Sequence, residues 1–460
     1  MYKIDFEHPC RVHFVGIGGI SMSGFAELMH HMGFAVSGSD RQENKSTRHL
    51  KSLGISIVYG QVAENITKDI ELVVYTPAVK PDNPELRRAK ELGIPILVRA
   101  EMVGQVMKNY PSAIAVSGTH GKTTTTSMAS EIFLSADLDP TISVGGILDA
   151  IGGNIRIGRS EHFITEACEY TNSFLQFFPT VEIILNIEED HLDFFKDIDD
   201  IRRSFRAFAE LLPTDGTLII NADIDNYKEI TDGLSCRVIT YALENKKADF
   251  TATDISFNEK GCGTFTAVVN GKKTRPFTLH VPGLHNISNC LSCLALASLY
   301  GIADTTVQNA LSAFSGTERR FELKGVKNGF TIIDDYAHHP TEVLGTLNTA
   351  AKFDHNTLWC AFQPHTYTRT RAFLKDFAKS LAAADKIILT DIYAAREKDP
   401  GDISSKTLAA ELEKLGKEVH YFPSFDEAEK FILKNLVDGD LLITMGAGNI
   451  VELGENLLKH

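Results

Sequence analysis

The chain has no excess of basic residues: 46 Lys+Arg stand against 60 Asp+Glu, a formal net charge of −14. A nucleic-acid partner calls for a basic footprint, so that class is set aside. No apolar stretch approaches the length of a bilayer span, and the opening MYKIDFEHPC has no apolar signal core. Membrane insertion is therefore not expected. The seven cysteines are odd in number and scattered. Their lone CxxC, Cys290 and Cys293, lies in an apolar helical run and reads as buried thiols ahead of a metal site. A reducing, cytoplasmic setting fits these absences. Repeats of fixed period, low-complexity tracts and long charge runs are missing too. What remains is 43% hydrophobic and 23% charged over 460 residues, a globular composition too long for one core.

Strand-like and helix-like stretches alternate along most of the chain. VHFVGIGG reads as a strand and turn, and the following helix places Met22, Phe25, Ala26, Met29 and Met32 on one face. FAVSGSD, ISIVYG, LVVYTPAV and PILVRA continue the pattern up to Tyr110–Pro111. Apolar strands alternating with helices predict parallel, doubly wound sheets. A second unit starts at AIAVSGTHGKTTTT. It changes character between about 246 and 280, where period-two alternation and Asn270–Gly271 predict a hairpin. A third unit starts near Arg319, with FTIIDDYAHHP, TLWCAFQPH, KIILTDIYAA, EVHYFP and LLITMGAGN as its strands. The expected fold is α/β in three domains, spanning 1–110, 111–318 and 319–460. The central one is of the P-loop ATPase type, a mixed sheet with a small β-hairpin region.

Residues 113–126, AIAVSGTHGKTTTT, carry the sharpest signal. The usual phosphate loop sets a glycine, four spacers and Gly-Lys-Ser/Thr. Here the glycine is Gly118, so the loop is two residues short. It can still work, because phosphate needs backbone N–H groups at a helix N-terminus and glycines that permit close approach. Gly118 and Gly121 supply that backbone, Lys122 a point charge, and Thr123 a hydroxyl for magnesium. The alternative is an ordinary strand–helix turn. Further on, TEACEY places Glu166 and Glu169 at one strand end, and LNIEEDHLD places Asp190, His191 and Asp193 at another. Strand carboxyl ends line the ligand crevice of such sheets, and carboxylate, imidazole and hydroxyl suit a hard divalent cation. EEDHLD alone is equally a solvated acidic loop.

His285 and Asn289 in HNISN are four apart and face one way if helical, ready for a base edge; Asn286 or Ser288 reads equally well as a helix cap. The arginine pair in SGTERRFE reads as surface by default, or as reaching phosphates across a cleft. DDYAHHP and FQPHTYTRTR bring His338, His339, His365, Arg369 and Arg371 to strand ends, where they suit a substrate carboxylate.

Taken in order, GTHGKTTT, EACE, NIEEDHLD, HNISN, TERRFE, DDYAHHPTE and FQPHTYTRTR resemble the Mur ligases of peptidoglycan synthesis, over nearly the whole chain. The short loop is itself a feature of that family. The resemblance implies a UDP-sugar domain, a central ATPase and a Rossmann-like C-terminal domain that meets the amino acid. With HFVGIGGISMSGFAEL it implies an ATP- and Mg2+-dependent enzyme joining L-alanine to UDP-N-acetylmuramate through an acyl phosphate. Carried over by position, Gly118, Thr119, His120, Gly121, Lys122, Thr123 and Thr124 hold the nucleotide phosphates. Thr123, Glu166 and His191 face magnesium; His285 and Asn289 meet adenine, Arg320 a phosphate and Asp335 the ribose. Lys122, His191, His338, His339 and Arg369 are the expected catalytic set. Gly16, Gly18, Gly19, Ser39, Asp40 and Thr76 are expected at the UDP-sugar, with His365 and Arg369 at the other substrates.

The chain also departs from its relatives. Ser21 and Thr366 replace a common glycine and arginine, Cys168 and Tyr170 replace a commoner Asp and Ser, and IRRSFRAF offers no lysine for modification. Two rivals stay open: a sister ligase that attaches a whole peptide, and a nicotinamide-dependent oxidoreductase, which Gly16, Gly18 and Asp40 mimic.

Overall fold

The computed structural model describes residues 2–395 and 397–459. Three sheets organise it. The first is wholly parallel, in the order Ser56–Tyr59, Ala35–Asp40, Arg11–Val15, Leu72–Tyr75, Ile96–Val98. Its order reverses at Arg11–Val15, so a crevice opens where that strand and Leu72–Tyr75 end. The helix Ile20–His31 buries Met22, Phe25, Ala26 and Met29 against it, as the apolar spacing predicts.

The second sheet has ten strands. Its parallel centre runs Arg237–Ala242, Thr217–Asn221, Val181–Ile184, Ser112–Ser117, His162–Glu166, Thr141–Leu148. The hairpin region is not a separate layer. Phe250–Phe257 pairs parallel with Arg237–Ala242, and Cys262–Val269 and Lys272–Pro282 then extend the same sheet antiparallel. Asn270 and Gly271, at φ 49° and 79°, make the tight turn expected of that dipeptide. Behind the sheet the helix Leu284–Leu299 buries Cys290 and Cys293 as free thiols.

The third sheet runs Glu322–Lys327, Phe330–Asp335, Leu441–Met445, Leu358–Phe362, Lys386–Leu389, Glu418–Tyr421, with only the first pair antiparallel. Leu441–Met445 intervenes between Phe330–Asp335 and Leu358–Phe362, so the loops after Asp335 and Phe362 flank a crevice. That crevice faces the second sheet, whose strand ends carry the phosphate loop. No helix is long and apolar enough to cross a membrane among the described residues.

Candidate active site

The strand Ser112–Ser117 is apolar and buried throughout, and it delivers the chain into the short loop. Gly118 adopts φ 139°, and a Cβ there would lie 2.9 Å from Leu185 and 3.1 Å from the Asn186 nitrogen. Only glycine lets the loop pass so close to the neighbouring strand end. The loop is held there by Asn186, whose side-chain oxygen accepts from His120 N–H at 2.7 Å while its amide donates to His120 C=O at 3.0 Å. Thr119 adds a hydroxyl that accepts from Glu188 N–H at 2.9 Å. Two residues fewer are thus offset by a clamp from the next loop. Gly121, at φ 83°, caps the helix Lys122–Ser135, whose free N–H groups open onto the cavity.

Lys122 donates to the carbonyls of Gly118 and Thr119 and pairs with Glu169 Oε2 at 3.1 Å. Burial alone would lower its pKa, but Glu169 raises it, so the ammonium is charged. A cavity of about 360 Å3 contains Lys122, Thr123, Glu166, His191, Arg320 and His338 in its wall. The three residues expected at magnesium therefore share one space. Glu166 Oε1 accepts from Gly145 N–H at 2.5 Å, which fixes the carboxylate at its strand end. His191 sits at φ 54°, an uncommon conformation for a non-glycine residue, against the Tyr170 ring at 4.5 Å. Burial lowers its pKa, keeping the imidazole neutral with a lone pair for a metal. Glu169 Oε1, buried without a hydrogen-bond donor, lies 4.0 Å from His191 Nε2. An orphaned carboxylate oxygen beside a neutral imidazole, a carboxylate and a hydroxyl is a donor set that fits a hard dication.

A different trio, His120, Glu188 and His339, has donor atoms within 4.8 Å of one another. It does not fit a metal. Burial would lower the His120 pKa, but Glu342 and Glu188 raise it to about 10, and a protonated imidazole has no lone pair to give. His339 is engaged as well, through Nε2 to Glu189 C=O at 2.9 Å and Nδ1 accepting from Thr341 N–H at 3.4 Å.

Next to the loop, a cavity of about 280 Å3 is lined by Gly121, Thr124, His285, Asn289, Phe321 and Asp335, among others. His285 and Asn289 share a helix face as predicted, but neither Asn286 nor Ser288 is the cap, because the helix starts after Gly283. Burial holds His285 near pKa 4, hence neutral. Asp335 accepts from Phe321 and Ala337 N–H groups at 2.9 and 2.7 Å, and burial pushes its pKa up to about 6. The arginine pair divides. Arg319 is spent on Asp334 and the carbonyls of Gly446 and Gly448, whereas Arg320 reaches the cavity, 3.5 Å from Thr123 Oγ1.

A third cavity, of about 270 Å3, is bounded by Cys168, His191, His338, His365, Thr366 and Arg369, with others. Arg369 grips Asp190 through Nε and NH2 at 3.0 and 2.9 Å and also meets His365 Nδ1 at 3.2 Å. This ion pair is buried, and Asp190 is held well below the usual carboxylate range by Arg369 against the cost of burial. His338 Nδ1 lies 3.0 Å from Tyr336 C=O; with its pKa lowered to about 4 by burial, it donates there and keeps Nε2 unprotonated. Thr366 sits at φ 66° with its side chain buried. The positive side of this pocket rests on Arg369.

The crevice of the first sheet meets this cluster at Ile20, which follows Gly19 and lies in the wall of the cavity that holds Lys122 and Thr123. Gly16, at φ 81°, donates to Ser39 C=O, Gly19 precedes the helix Ile20–His31, and Thr76 lies beside Gly16. One expectation needs correction. The Ser39 side chain does not reach the crevice: it is fully buried and donates to Glu85 Oε2 at 2.6 Å. Asp40 is oriented by two backbone donors, its oxygens accepting from Gly18 and Arg41 N–H groups, both at 2.7 Å, and each oxygen keeps a further lone pair. The dinucleotide-like pattern here is a glycine loop tied to its own carboxylate.

Sequence reasoning missed Asn186, Glu188 and Glu342 as parts of this site. Asn186 and Glu188 are the first and third residues of NIEEDHLD and had a signal in that motif; Glu342 gave none beyond its place in HHPTE.

Comparison with known proteins agrees with this geometry. Residues 11–111 match the model "Mur ligase family, catalytic domain", 116–297 the "Mur ligase middle domain" and 319–448 the "Mur ligase, glutamate ligase domain". The chain is 56% identical over 459 residues to the UDP-N-acetylmuramate–L-alanine ligase of Agathobacter rectalis, covering all of both chains. It is 50% identical to that of Acetivibrio thermocellus, over 99% of this chain and 96% of the other. Among solved structures, UDP-N-acetylmuramate-alanine ligase from Thermotoga maritima superposes with a TM-score of 0.82 at 31% identity, over 98% of each chain. A murein peptide ligase from Psychrobacter arcticus superposes at 0.75 with 26% identity, again over 98% of each. The chain belongs to the Mur ligase family.

Proposed function

We propose that this protein is an ATP-dependent ligase that joins L-alanine to the carboxylate of UDP-N-acetylmuramate. The observation that carries the reading is the meeting of the charged phosphate loop, Arg320 and the Arg369 pocket at one cleft between two sheets. Relatives of at least 50% identity carrying that activity in their names support it. On this reading 1–110 hold the UDP-sugar, 111–318 the ATP, and 319–460 close over both and meet the amino acid.

A carboxylate does not accept an amine until one oxygen becomes a leaving group. The carboxylate oxygen attacks the γ-phosphorus of ATP, the bond to ADP breaks, and an acyl phosphate forms. Lys122 and Arg320 stabilise charge on the transferring oxygens, and the N–H groups opening the helix Lys122–Ser135 hold the phosphates. Asn289 offers its amide to the adenine edge and Asp335 accepts from the ribose. Thr123, Glu166 and His191 would hold magnesium, which would supply further charge stabilisation at the phosphates. Arg369 binds the carboxylate of L-alanine. His338 Nε2 then accepts a hydrogen bond from its amine as it attacks the acyl carbon. The tetrahedral intermediate expels phosphate, which keeps the oxygen taken from the carboxylate and takes up the proton that the amine loses.

The test is phosphate release with ATP, UDP-N-acetylmuramate and one amine at a time. L-Alanine should give the highest kcat/KM, with glycine and L-serine lower. Release that requires a whole peptide instead would turn the assignment to the sister ligase, and none above background with any amine would end it.

His191 yields a second expectation. A ligating imidazole must be neutral, and burial lowers its pKa from 6.5. The acid limb due to metal loss should therefore fall below pH 6.5, because a depressed pKa keeps the neutral form dominant further into acid. His191→Ala should raise the magnesium needed for half-maximal rate and flatten that limb, and Glu166→Gln should raise it too. Parental magnesium dependence in both variants would place the metal elsewhere.

A further inference from the structure

We infer that Glu342 is a positioning residue that ties the third unit to the phosphate loop, so that the loop is aligned for phosphoryl transfer only when the two units are closed. The inference rests on the ligase reading above. Glu342 lies in the first turn of the helix Pro340–Ala350, and its Oε2 accepts from the N–H groups of His338 and His339 at 3.1 and 3.3 Å. That is what a glutamate in this position does for its own helix. Capping needs one oxygen. The other, Oε1, lies 3.1 Å from Nδ1 of His120, in the phosphate loop of the second sheet.

The pair is shielded, with 13% and 15% of the two side chains exposed, so it is little screened by water. Neighbouring contacts cross the same boundary. Thr341 Oγ1 donates to Glu188 Oε2 at 2.7 Å, and His339 Nε2 meets Glu189 C=O at 2.9 Å. His120 cannot simply follow Glu342, because Asn186 holds its backbone from the other side. One carboxylate therefore sets the position of His338, which faces the reacting groups, relative to the loop that carries Lys122. Removing it leaves both elements built but no longer registered to each other, and small misplacements of this kind cost catalysis more than binding.

The experiment compares wild type, Glu342→Gln, His120→Gln and the double variant. Glu342→Gln should keep the fold, shift the Kd of Mg2+–AMP-PNP less than about threefold, and lower kcat at saturating substrates by about 10- to 100-fold. His120→Gln should lose a similar factor, and the double variant no more than the worse single one, because both remove the same contact. Small-angle scattering with Mg2+–AMP-PNP reads closure whatever the amine substrate is. Glu342→Gln should give a larger radius of gyration than wild type. If Glu342→Gln does not fold, His120→Gln carries both readouts from the other side of the contact. Wild-type kcat with unchanged closure, or losses that multiply in the double variant, would overturn the inference. A wild type inactive toward L-alanine but with closure lost in the variants would sink the substrate assignment and leave the positioning role standing.

Discussion

Replacing Lys122 with alanine is expected to lower kcat by about 1,000-fold, the scale seen when a charge-stabilising donor is removed from a transition state. The side chain is the charged group that opens the helix Lys122–Ser135, and its carbonyl partners lie in the loop itself. Any loss of stability should come from the partner it leaves behind and not from lost apolar packing. One local consequence follows from its pairing: Glu169 loses its cation and becomes a buried, unpaired carboxylate beside His191. The double variant Lys122→Ala/Glu169→Gln should therefore regain any stability lost while remaining inactive. Turnover near wild type at saturating ATP would show that the loop does not serve phosphoryl transfer.

Arg369→Ala should damage both function and stability. The guanidinium is the positive wall of the pocket assigned to the amino acid, and it is buried in a bidentate pair with Asp190. Truncating one member of such a pair leaves an uncompensated charge, a loss of about 3–5 kcal/mol. At roughly 2–4 °C per kcal/mol for a domain of about 150 residues, the size of the 319–460 unit, the unfolding transition of that unit should fall by about 10 °C. KM for L-alanine should rise steeply in whatever enzyme stays folded. Replacing both partners with apolar side chains, Arg369→Met with Asp190→Leu, should recover much of the stability and none of the activity. Recovery of activity in that double variant would remove Arg369 from the amino-acid site.

Local chemistry made much of this protein legible. Period-two alternation around Asn270–Gly271 dictated a hairpin because that dipeptide accepts positive φ. The run AIAVSGTHGKTTTT dictated strand, glycine loop and helix because each residue type prefers one conformation there. Residues four apart in HNISN came out on one helix face for the same reason. What could not be read were matters of packing between distant segments. The spacing of Gly16, Gly18 and Asp40 is that of a ribose-reading fingerprint, yet spacing does not reveal that the carboxylate is tied back to the N–H of Gly18. Ser39 belongs to the right turn but points inward to Glu85. Arg319 and Arg320 are adjacent and identical in the sequence, and only the third sheet decides which one is structural. Asn186 acts on a loop 66 residues earlier and Glu342 on the loop of another sheet, where no local pattern marks them.

The central claim is that ATP activates a carboxylate by transferring its γ-phosphoryl group to one of the carboxylate oxygens. The most direct test labels both carboxylate oxygens of UDP-N-acetylmuramate with oxygen-18 and analyses the phosphate released during a reaction with L-alanine. An acyl phosphate predicts one labelled oxygen in every phosphate and one retained in the amide product. Amide formation accompanied by unlabelled phosphate would mean that ATP is cleaved without activating the carboxylate, and would contradict the account.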